Sequence, residues 1–240
     1  MIDLHYSGTP NGQKVAIMLE ETGITYRLHI YDMFEGDQLK PEFGLINPNR
    51  KIPAIIDQAP ADGGPPHRVF ESGAILQYLA DKTGRFIPAD ARGRSTVVQW
   101  LTWQMAGLGP MTGQASHFIR YQSSGQEYAI ERYTKEVTRL IHVLEGRLNE
   151  APYVGGEDYS IADMAIWPIR RAVAKMGLDD ASLTATQAWL ERIEARPAVQ
   201  QVMTREDLKF PAKYGGKVQV LSDKEWSNVF GDAQHQAVRA

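Results

Sequence analysis

The first 83 residues of the chain alternate between strand-like and helix-like patterns. Residues 2–6 alternate apolar and polar side chains, which is the period of two typical of a β-strand. Thr9 and Pro10 follow, and these residue types favour the N-cap and the first position of an α-helix. We therefore predict a helix over residues 13–21 that ends at Gly23, because glycine suits a helix C-terminus.

The elements after this helix continue the alternation. We predict a strand at 26–30, a short helix at 41–45, strands at 52–57 and 67–70, and a helix at 74–82 that ends at Gly84. A strand, a helix and a strand within about 30 residues form a βαβ unit, whose two strands are parallel. The order βαβ followed by ββα predicts an α/β thioredoxin-like domain in the first part of the chain.

The second half of the chain shows helical spacing only. Four helices are predicted, over residues 97–108, 127–148, 161–176 and 186–195. The second of them has apolar residues three and four positions apart, which indicates an amphipathic helix packed on a core. The run Gly107-Leu108-Gly109-Pro110 is interpreted as the end of the first.

These patterns divide the chain into three parts. Residues 1–84 are predicted to form the thioredoxin-like domain, residues 94–203 an all-α C-terminal helical domain, and residues 85–93 the linker between them. The residues after Met203 mix lysine, glycine, proline and glutamine with few apolar side chains. We therefore predict that residues 204–240 form an irregular C-terminal extension.

Composition narrows the possible partners. With 26 Lys and Arg against 29 Asp and Glu, the net charge is −3, which does not favour nucleic-acid binding through counterion release. No apolar run has the length of a membrane-spanning helix and the first residues lack a signal-peptide pattern, so we expect a cytoplasmic protein that binds neither nucleic acid nor membrane.

The chain has no cysteine, which excludes a disulfide framework and a cysteine nucleophile. The six histidines are scattered, so we expect no metal site.

The turn before the first helix is a candidate site for an anion. Backbone N–H groups and the positive end of the helix dipole point at one position there, and they would lower the pKa of a thiol placed against them. The Thr9 hydroxyl and the Asn11 amide can donate hydrogen bonds to such a sulfur. Taken alone, the pattern is better explained by an N-cap at Thr9 and an ordinary first-turn residue at Asn11.

Two further motifs point to a peptide-like ligand. Pro53 removes a ladder donor at the start of a strand, and either a cis Ile52–Pro53 bond or a trans proline on an edge strand explains it. The cis form would leave the backbone of Ile52 free to pair with an extended ligand. Ser72 as a helix N-cap would hold a carboxylate and Glu71 an ammonium group, although a solvated acid beside an ordinary cap is the more common meaning.

Two features are given a structural role instead. Ser160 and Asp163 have the spacing of a capping box, which predicts the start of a core helix and no chemistry. Tyr6 is in phase with Ile2 and Leu4 along the first strand. Its side chain is therefore expected to point into the core rather than towards a ligand.

Together, these motifs resemble those of the cytosolic glutathione transferases. They are Thr-Pro-Asn at 9–11, Asn-Pro-Asn-Arg-Lys-Ile-Pro-Ala at 47–54, Phe-Glu-Ser-Gly-Ala-Ile at 70–75 and Gly-Gly-Glu-Asp-Tyr-Ser-Ile-Ala-Asp at 155–163. The resemblance covers about residues 1–203. Segments at 9–12, 60–64, 107–111 and 128–133 are similar to the bacterial Nu class, whose members act as glutathione-dependent disulfide-bond reductases.

The resemblance implies a role for each candidate site residue. Thr9 and Asn11 would lie at the glutathione sulfur, and Ile52 would pair through its backbone with the cysteinyl part. Glu71 and Ser72 would hold the γ-glutamyl end by its ammonium and carboxylate groups.

For Gln38 and Arg132 the resemblance supplies all the support, and both would hold polar ends of the ligand. It also implies a two-fold homodimer and a small electrophile or disulfide as the second substrate. The implied function is reduction of a disulfide by two bound glutathione thiols, or through one bound glutathione disulfide, without a protein cysteine. A conjugating transferase or organic hydroperoxide reductase on the same site remains an alternative, as does a non-catalytic glutathione-binding or interaction protein.

Overall fold

The first part of the chain folds into a mixed β-sheet with helices. The computed structural model describes residues 1–122, 124–175, 181–214 and 220–239. Within these ranges the strands are β1 (Ile2–Tyr6), β2 (Tyr26–Ile30), β3 (Ala54–Asp57) and β4 (His67–Phe70). The sheet order is β2-β1-β3-β4, with β1 and β2 parallel and the other two pairs antiparallel. The predicted βαβ-ββα order is confirmed.

Three of the helix ends in this domain lie at the predicted caps. They are α1 (Pro10–Thr22), α2 (Pro41–Gly44) and α3 (Ser72–Thr83). Thr9 is the N-cap of α1, and Gly23 and Gly84 end α1 and α3 in the left-handed conformation. Tyr6 is 1% exposed in the apolar core, which confirms the orientation expected from its phase on β1.

The polar face of β1 is also covered. The Asp3 carboxylate accepts hydrogen bonds from Arg27 Nε at 2.5 Å, Gln58 Nε2 at 2.6 Å and His29 Nε2 at 3.1 Å. The hydrogen bond from Arg27 is the largest cause that holds the pKa of Asp3 well below its usual range. The alternation along β1 therefore separates apolar from hydrogen-bonded positions, and not buried from exposed ones.

The second part of the described chain is helical, as predicted. Its helices are α4 (Ala91–Trp103), α5 (Gly109–Ser116), α6 (Glu127–Leu148), α7 (Ile161–Lys175), α8 (Thr184–Glu194) and α9 (Pro197–Thr204). Helix α4 begins inside the predicted linker, because the Asp90 side chain caps it by accepting from Gly93 N. The predicted end of α7 at Met176 lies outside the described residues. None of the helices within the described ranges is long and apolar enough to cross a membrane.

The run from Gly107 to Pro110 does not end a helix, and that prediction is wrong. A π-helical turn over Gln104–Leu108 leads directly into α5, and Gly109 N donates to Gln104 O. Pro110 has no N–H to donate, and the widened turn just before it accommodates this loss. A second π-helical turn, His117–Tyr121, extends the same helical segment beyond α5.

The predicted cap at the start of α7 is present, with the Asp163 side chain bonded to Ser160 N and with Ser160 Oγ accepting from Ala162 N at 3.3 Å. Asp163 is buried, and its carboxylate accepts from Ser160 N at 3.0 Å and Ser160 Oγ at 2.9 Å. It also accepts from Val154 N at 2.8 Å and from Trp189 Nε1 at 2.9 Å. One carboxylate thus ties the start of α7 to the preceding loop and to α8.

The extension after Met203 is not irregular throughout, which corrects the prediction. Its described residues include helices α10 (Asp223–Val229) and α11 (Asp232–Ala237), with 3-10 turns at Glu206–Leu208 and Ala212–Tyr214. Ser222 and Glu225 form a capping box that starts α10. Residues 215–219 and 240 lie outside the described ranges. The division at 1–84, 94–203 and 204–240 stays a prediction.

Candidate functional site

A cleft of about 840 Å³ lies between the N-terminal domain, the helical domain and the extension. Six of the seven predicted site residues line it, namely Thr9, Asn11, Gln38, Ile52, Glu71 and Ser72. Arg132 is exposed on α6 and is not among the lining residues. The volume is near the upper end of the range for small-molecule sites, so the cleft has room for more than one tripeptide-sized group.

The β1–α1 turn supplies the end of the cleft where a thiolate would be stabilised. Thr9 Oγ1 accepts from Gly12 N at 3.3 Å, and Pro10 is the first residue of α1. Asn11 lies on the first helical turn and is exposed. The N-cap and the ligand contact are therefore compatible, because both residues line the cleft at the positive end of the helix dipole.

The Ile52–Pro53 peptide bond is cis, the first of the two alternatives that the sequence left open. The β1–β3 ladder begins at the His5–Ala54 pair, so Ile52 lies just outside the paired part of β3. Ile52 and Pro53 both line the cleft. The backbone that precedes β3 is therefore placed where an extended ligand would lie.

Glu71, and not Ser72, is the N-cap residue of α3, which corrects the sequence prediction. Ser72 is the first residue of the helix, and its hydroxyl lies 3.8 Å from Met105 Sδ. The backbone of Glu71 has φ +68° and ψ 117°, a conformation that residues other than glycine rarely adopt. Such strain is typical of residues held for a function, and both residues line the cleft at the N-terminus of α3.

A buried lysine lies near Glu71. Lys14 on α1 is 1% exposed, and its Nζ donates to Gln104 Oε1 at 3.0 Å. Burial lowers the pKa of Lys14 to about 7, while the charge of Glu71 acts in the opposite direction. Lys14 therefore interacts, in its protonated form, with the Glu71 carboxylate that is predicted to hold the ligand ammonium.

Gln38 has one polar atom without a partner in the described structure. The side chain is 5% exposed, and its Nε2 donates to Met33 O at 3.2 Å and Asn228 O at 3.0 Å. Its Oε1 is buried and accepts no hydrogen bond. A buried acceptor of this kind is suited to a ligand N–H group, because leaving it unpaired is costly.

The sequence analysis missed the contribution of the extension to the cleft. Trp226, Val229 and Phe230 line it from α10 and its C-terminus, and Gln234 and His235 line it from α11. The apolar side chains at 226, 229 and 230 have helical spacing, which was the available signal. This helical spacing was missed because most of the surrounding residues are polar.

The comparisons with known proteins agree with this geometry. The family model described as the glutathione S-transferase N-terminal domain matches residues 9–82, and the one for the C-terminal domain matches residues 106–197. The chain is 50% identical over 208 residues to the disulfide-bond oxidoreductase YfcG of Escherichia coli (strain K12), covering 87% of this chain and 97% of that protein.

Two solved structures are similar to this fold over most of the chain. One is a glutathione transferase family member from Pseudomonas fluorescens pf-5 with two glutathione molecules bound, at 38% identity and a TM-score of 0.81, covering 88% of this chain and 93% of that one. The other is a glutathione transferase from Pseudomonas putida with one glutathione disulfide bound per subunit, at 40% identity and a TM-score of 0.78, covering 88% and 92%. The chain therefore belongs to the glutathione transferase family.

Proposed function

We propose that this protein is a glutathione-dependent disulfide-bond reductase that uses no thiol of its own. The observation that carries the proposal is the placement of Thr9 and Asn11 at the N-terminus of α1 inside the cleft of a chain without cysteine. The relative YfcG is named a disulfide-bond oxidoreductase, and similar structures hold two glutathione molecules or one glutathione disulfide. Disulfide reduction by glutathione requires a site that holds two glutathione sulfurs side by side.

Glutathione supplies both thiols and both electrons of the reaction. Two glutathione molecules are oxidised to one glutathione disulfide, one substrate S–S bond is reduced, and the two thiol protons end on the two substrate thiols. The protein's part is to favour the thiolate and to align the sulfurs, since thiol–disulfide exchange requires attack along a defined direction. The N–H groups of the β1–α1 turn, the Thr9 hydroxyl and the Asn11 amide lower the pKa of the attacking thiol.

The remaining predicted residues bind the peptide part. Ile52 pairs through its backbone with the cysteinyl unit, and Glu71 and Ser72 hold the γ-glutamyl ammonium and carboxylate. The unpaired Gln38 Oε1 supports a contact with a ligand N–H group. The role of Arg132 stays a prediction. Arg132 is exposed on α6 and does not line the cleft of a single chain.

Thr9→Ala is expected to lower kcat/KM for disulfide reduction about tenfold, because one hydrogen bond to the thiolate is worth about 1.4 kcal/mol. The pH–rate profile should move to higher pH, since the thiol pKa rises when that donor is lost. Thr9→Ser keeps the hydroxyl and the helix cap and is the matched control. Equal rates and profiles for Thr9→Ala and the unchanged protein would show that Thr9 is only an N-cap.

Tyr6→Phe is expected to leave kcat within twofold and to cost about 1 kcal/mol of unfolding free energy. The Tyr6 hydroxyl donates to Leu208 O at 2.7 Å, and burial raises its pKa well above the usual range. It is therefore a structural donor and cannot serve as a phenolate. Chemical denaturation and the disulfide assay measure the two effects separately, and a tenfold fall in kcat would contradict this assignment.

Pretreatment with iodoacetamide, followed by its removal, is expected to leave disulfide reduction unchanged, because the chain has 0 cysteines. The assay uses bis(2-hydroxyethyl) disulfide and glutathione, with an aryl halide and an organic hydroperoxide as the other two substrates. Fastest turnover of the disulfide supports the proposal. Fastest turnover of either other substrate would favour a conjugating transferase or a peroxide reductase, and glutathione binding without any turnover would favour a binding protein.

We also propose a two-fold homodimer in the cytoplasm, where glutathione is kept reduced. Light scattering coupled to gel filtration measures the first point: a mass of twice 26.9 kDa is expected. A monomer at assay concentrations would contradict it.

A further inference from the structure

Two consecutive side chains of the π-helical turn that precedes α5 reach the N-terminal domain. Gln104 is 1% exposed, and its Oε1 accepts a hydrogen bond from Lys14 Nζ at 3.0 Å. The next residue packs on the start of α3: Met105 Sδ lies 3.8 Å from Ser72 Oγ, and a Cβ atom at Gly73 would lie 2.8 Å from Met105 Cγ. The turn therefore joins Lys14 to the N-terminus of α3, where the γ-glutamyl group is proposed to bind.

The geometry of this turn makes room for the Gln104 amide. Gly109 N donates to Gln104 O across the widened turn, and a Cβ atom at Gly109 would lie only 2.6 Å from Gln104 Nε2. Glycine at this position therefore lets the amide lie against the backbone while its oxygen faces Lys14. Turns of this kind are frequent at functional sites, and this one places an amide oxygen against a buried ammonium group.

The hydrogen bond that the described structure gives to Lys14 comes from an amide and not from a carboxylate. Lys14 is 1% exposed and is not among the residues that line the cleft, so a ligand in the cleft acts on it only through other groups. Burial disfavours an ammonium group that has no opposite charge in contact with it, and it lowers the pKa of Lys14 to about 7. Lys14 therefore changes its charge near neutral pH.

The charge that acts on Lys14 is that of Glu71. Helix α1 packs against α3, α7 and α9, and Tyr6 of β1 lies beside its first turn. The titratable side chains on these helices include Tyr78, Asp81 and Lys82 on α3 and Asp163, Arg170 and Arg171 on α7, while α9 has none. Within the described chain, the charge that changes the Lys14 pKa is nevertheless that of Glu71, which raises it. Protonated Lys14 is thus stabilised by the carboxylate that is proposed to hold the ligand ammonium.

We propose that Lys14 is a positioning residue that competes, when protonated, with the ligand ammonium for the Glu71 carboxylate, so that glutathione binding releases a proton from Lys14. The inference rests on the proposed function for the place of the γ-glutamyl group. One carboxylate offsets two cations only in part, and the two cations repel each other. A ligand in the cleft also displaces water, which disfavours the protonated amine further.

The ligand carboxylate acts on Lys14 in the opposite direction, but less strongly. It is proposed to bind at Ser72, where the N–H groups and the positive end of the α3 dipole offset its charge. The net effect of binding is therefore loss of the Lys14 proton to the solvent, and no covalent bond of the ligand changes. Glutathione and glutathione disulfide both carry the γ-glutamyl ammonium, so the coupling applies to both.

The coupling makes glutathione binding tighter as the pH rises through neutrality. Below a pKa of about 7 Lys14 is protonated in the free protein and the ligand must displace that proton, whereas well above it the amine is already neutral. Binding is expected to be about fivefold weaker at pH 6 than at pH 8, because the ligand ammonium makes the proton about tenfold easier to lose.

Binding of S-methylglutathione tests the coupling without any turnover. This compound carries the γ-glutamyl ammonium and carboxylate but has no thiol, and none of its groups titrates near pH 6.5. Calorimetry at pH 6.5 in two buffers of different ionisation enthalpy gives the number of protons released for each ligand bound. The unchanged protein is expected to release about half a proton, together with the fivefold difference in affinity between pH 6 and pH 8.

Two variants should abolish the proton release from opposite sides. Lys14→Met keeps an unbranched side chain but has no titratable group, so its affinity should be equal at pH 6 and pH 8. Gln104→Glu places a carboxylate against Lys14 and keeps the amine protonated at both pH values, so the release at pH 6.5 should vanish with the lysine still present. Lys135→Met is the matched control, because Lys135 is exposed on α6 outside the cleft lining, and it should keep the full release.

The outcomes that contradict the inference are distinct. Proton release that persists in Lys14→Met or Gln104→Glu would overturn it, because another group, such as His235 in the cleft, would then supply the proton. Proton uptake, or no exchange, by the unchanged protein would overturn it as well. A loss of affinity in Lys14→Met that is equal at every pH would show that Lys14 only supports packing.

Disulfide turnover separates this inference from the proposed function. If the unchanged protein binds S-methylglutathione with release of the proton but does not reduce bis(2-hydroxyethyl) disulfide, the proposed function fails and the coupling at Lys14 stands. Failure to bind S-methylglutathione at any pH would overturn the ammonium site at Glu71 and this inference with it.

Discussion

Glu71→Gly is expected to weaken glutathione binding about 30-fold while leaving the protein as stable as before or about 1 kcal/mol more stable. The binding loss corresponds to about 2 kcal/mol, the usual worth of a hydrogen bond to a charged group. Stability should not fall, because Glu71 has φ +68°. Glycine removes a strain of about 1–3 kcal/mol there and adds about 1 kcal/mol of entropy to the unfolded chain.

The matched control is Glu71→Ala, which loses the same carboxylate but keeps a Cβ atom at the strained position. Its glutathione affinity should fall as far as that of Glu71→Gly, with no gain in stability. Both variants are compared by calorimetry and by urea unfolding at pH 8. At that pH Lys14, with a pKa of about 7, is mostly neutral in the folded protein, so removal of the nearby carboxylate adds little electrostatic cost. Unchanged affinity in Glu71→Gly would rule out Glu71 as the ammonium ligand.

Asp163→Ala is expected to cost about 3–5 kcal/mol of unfolding free energy, a large part of the stability of a typical domain. The carboxylate accepts from two backbone N–H groups, one hydroxyl and one indole N–H, all in the buried interior. Alanine would leave these donors without an acceptor, and each unpaired buried group carries a desolvation cost.

Asp158→Ala is the matched control for this prediction, because Asp158 is an exposed acid only five positions earlier in the chain. It should change stability by less than about 0.5 kcal/mol. Urea unfolding monitored by tryptophan fluorescence measures both variants. A loss below about 1 kcal/mol for Asp163→Ala would mean that water replaces the carboxylate, against the present structural assignment.

Local signals were enough to predict most of the fold. Thr9, Pro10, Gly23 and Gly84 mark helix ends through their own backbone preferences, and these do not depend on the rest of the molecule. The same holds for the helix cap at Ser160. The prediction failed at Gly107–Pro110, because a π-helical turn over Gln104–Leu108 widens the helix and lets it continue through Pro110.

The site was predictable only in part, for the same reason. Five of the predicted site residues lie in short contiguous motifs of the N-terminal domain, so the resemblance located them together: Thr9, Asn11, Ile52, Glu71 and Ser72. The contribution of Trp226 and Phe230 depends on contacts with His117 and Tyr121, more than 100 positions earlier in the chain. The strain at Glu71 could not be predicted either, because nothing in its residue type indicates a positive φ.

The hydrogen bond from Gln38 to Asn228 joins residues 190 positions apart, and this separation has a consequence during synthesis. A ribosome adds about 5–20 residues per second, so roughly 10–40 seconds pass between the two residues. The thioredoxin-like domain can emerge and fold in that time, but with the Gln38 amide and the β1–α1 turn still open to solvent. Nascent chains stalled before residue 223 should therefore present an accessible glutathione site that lacks its last wall, because α10 is synthesised after the rest of the site.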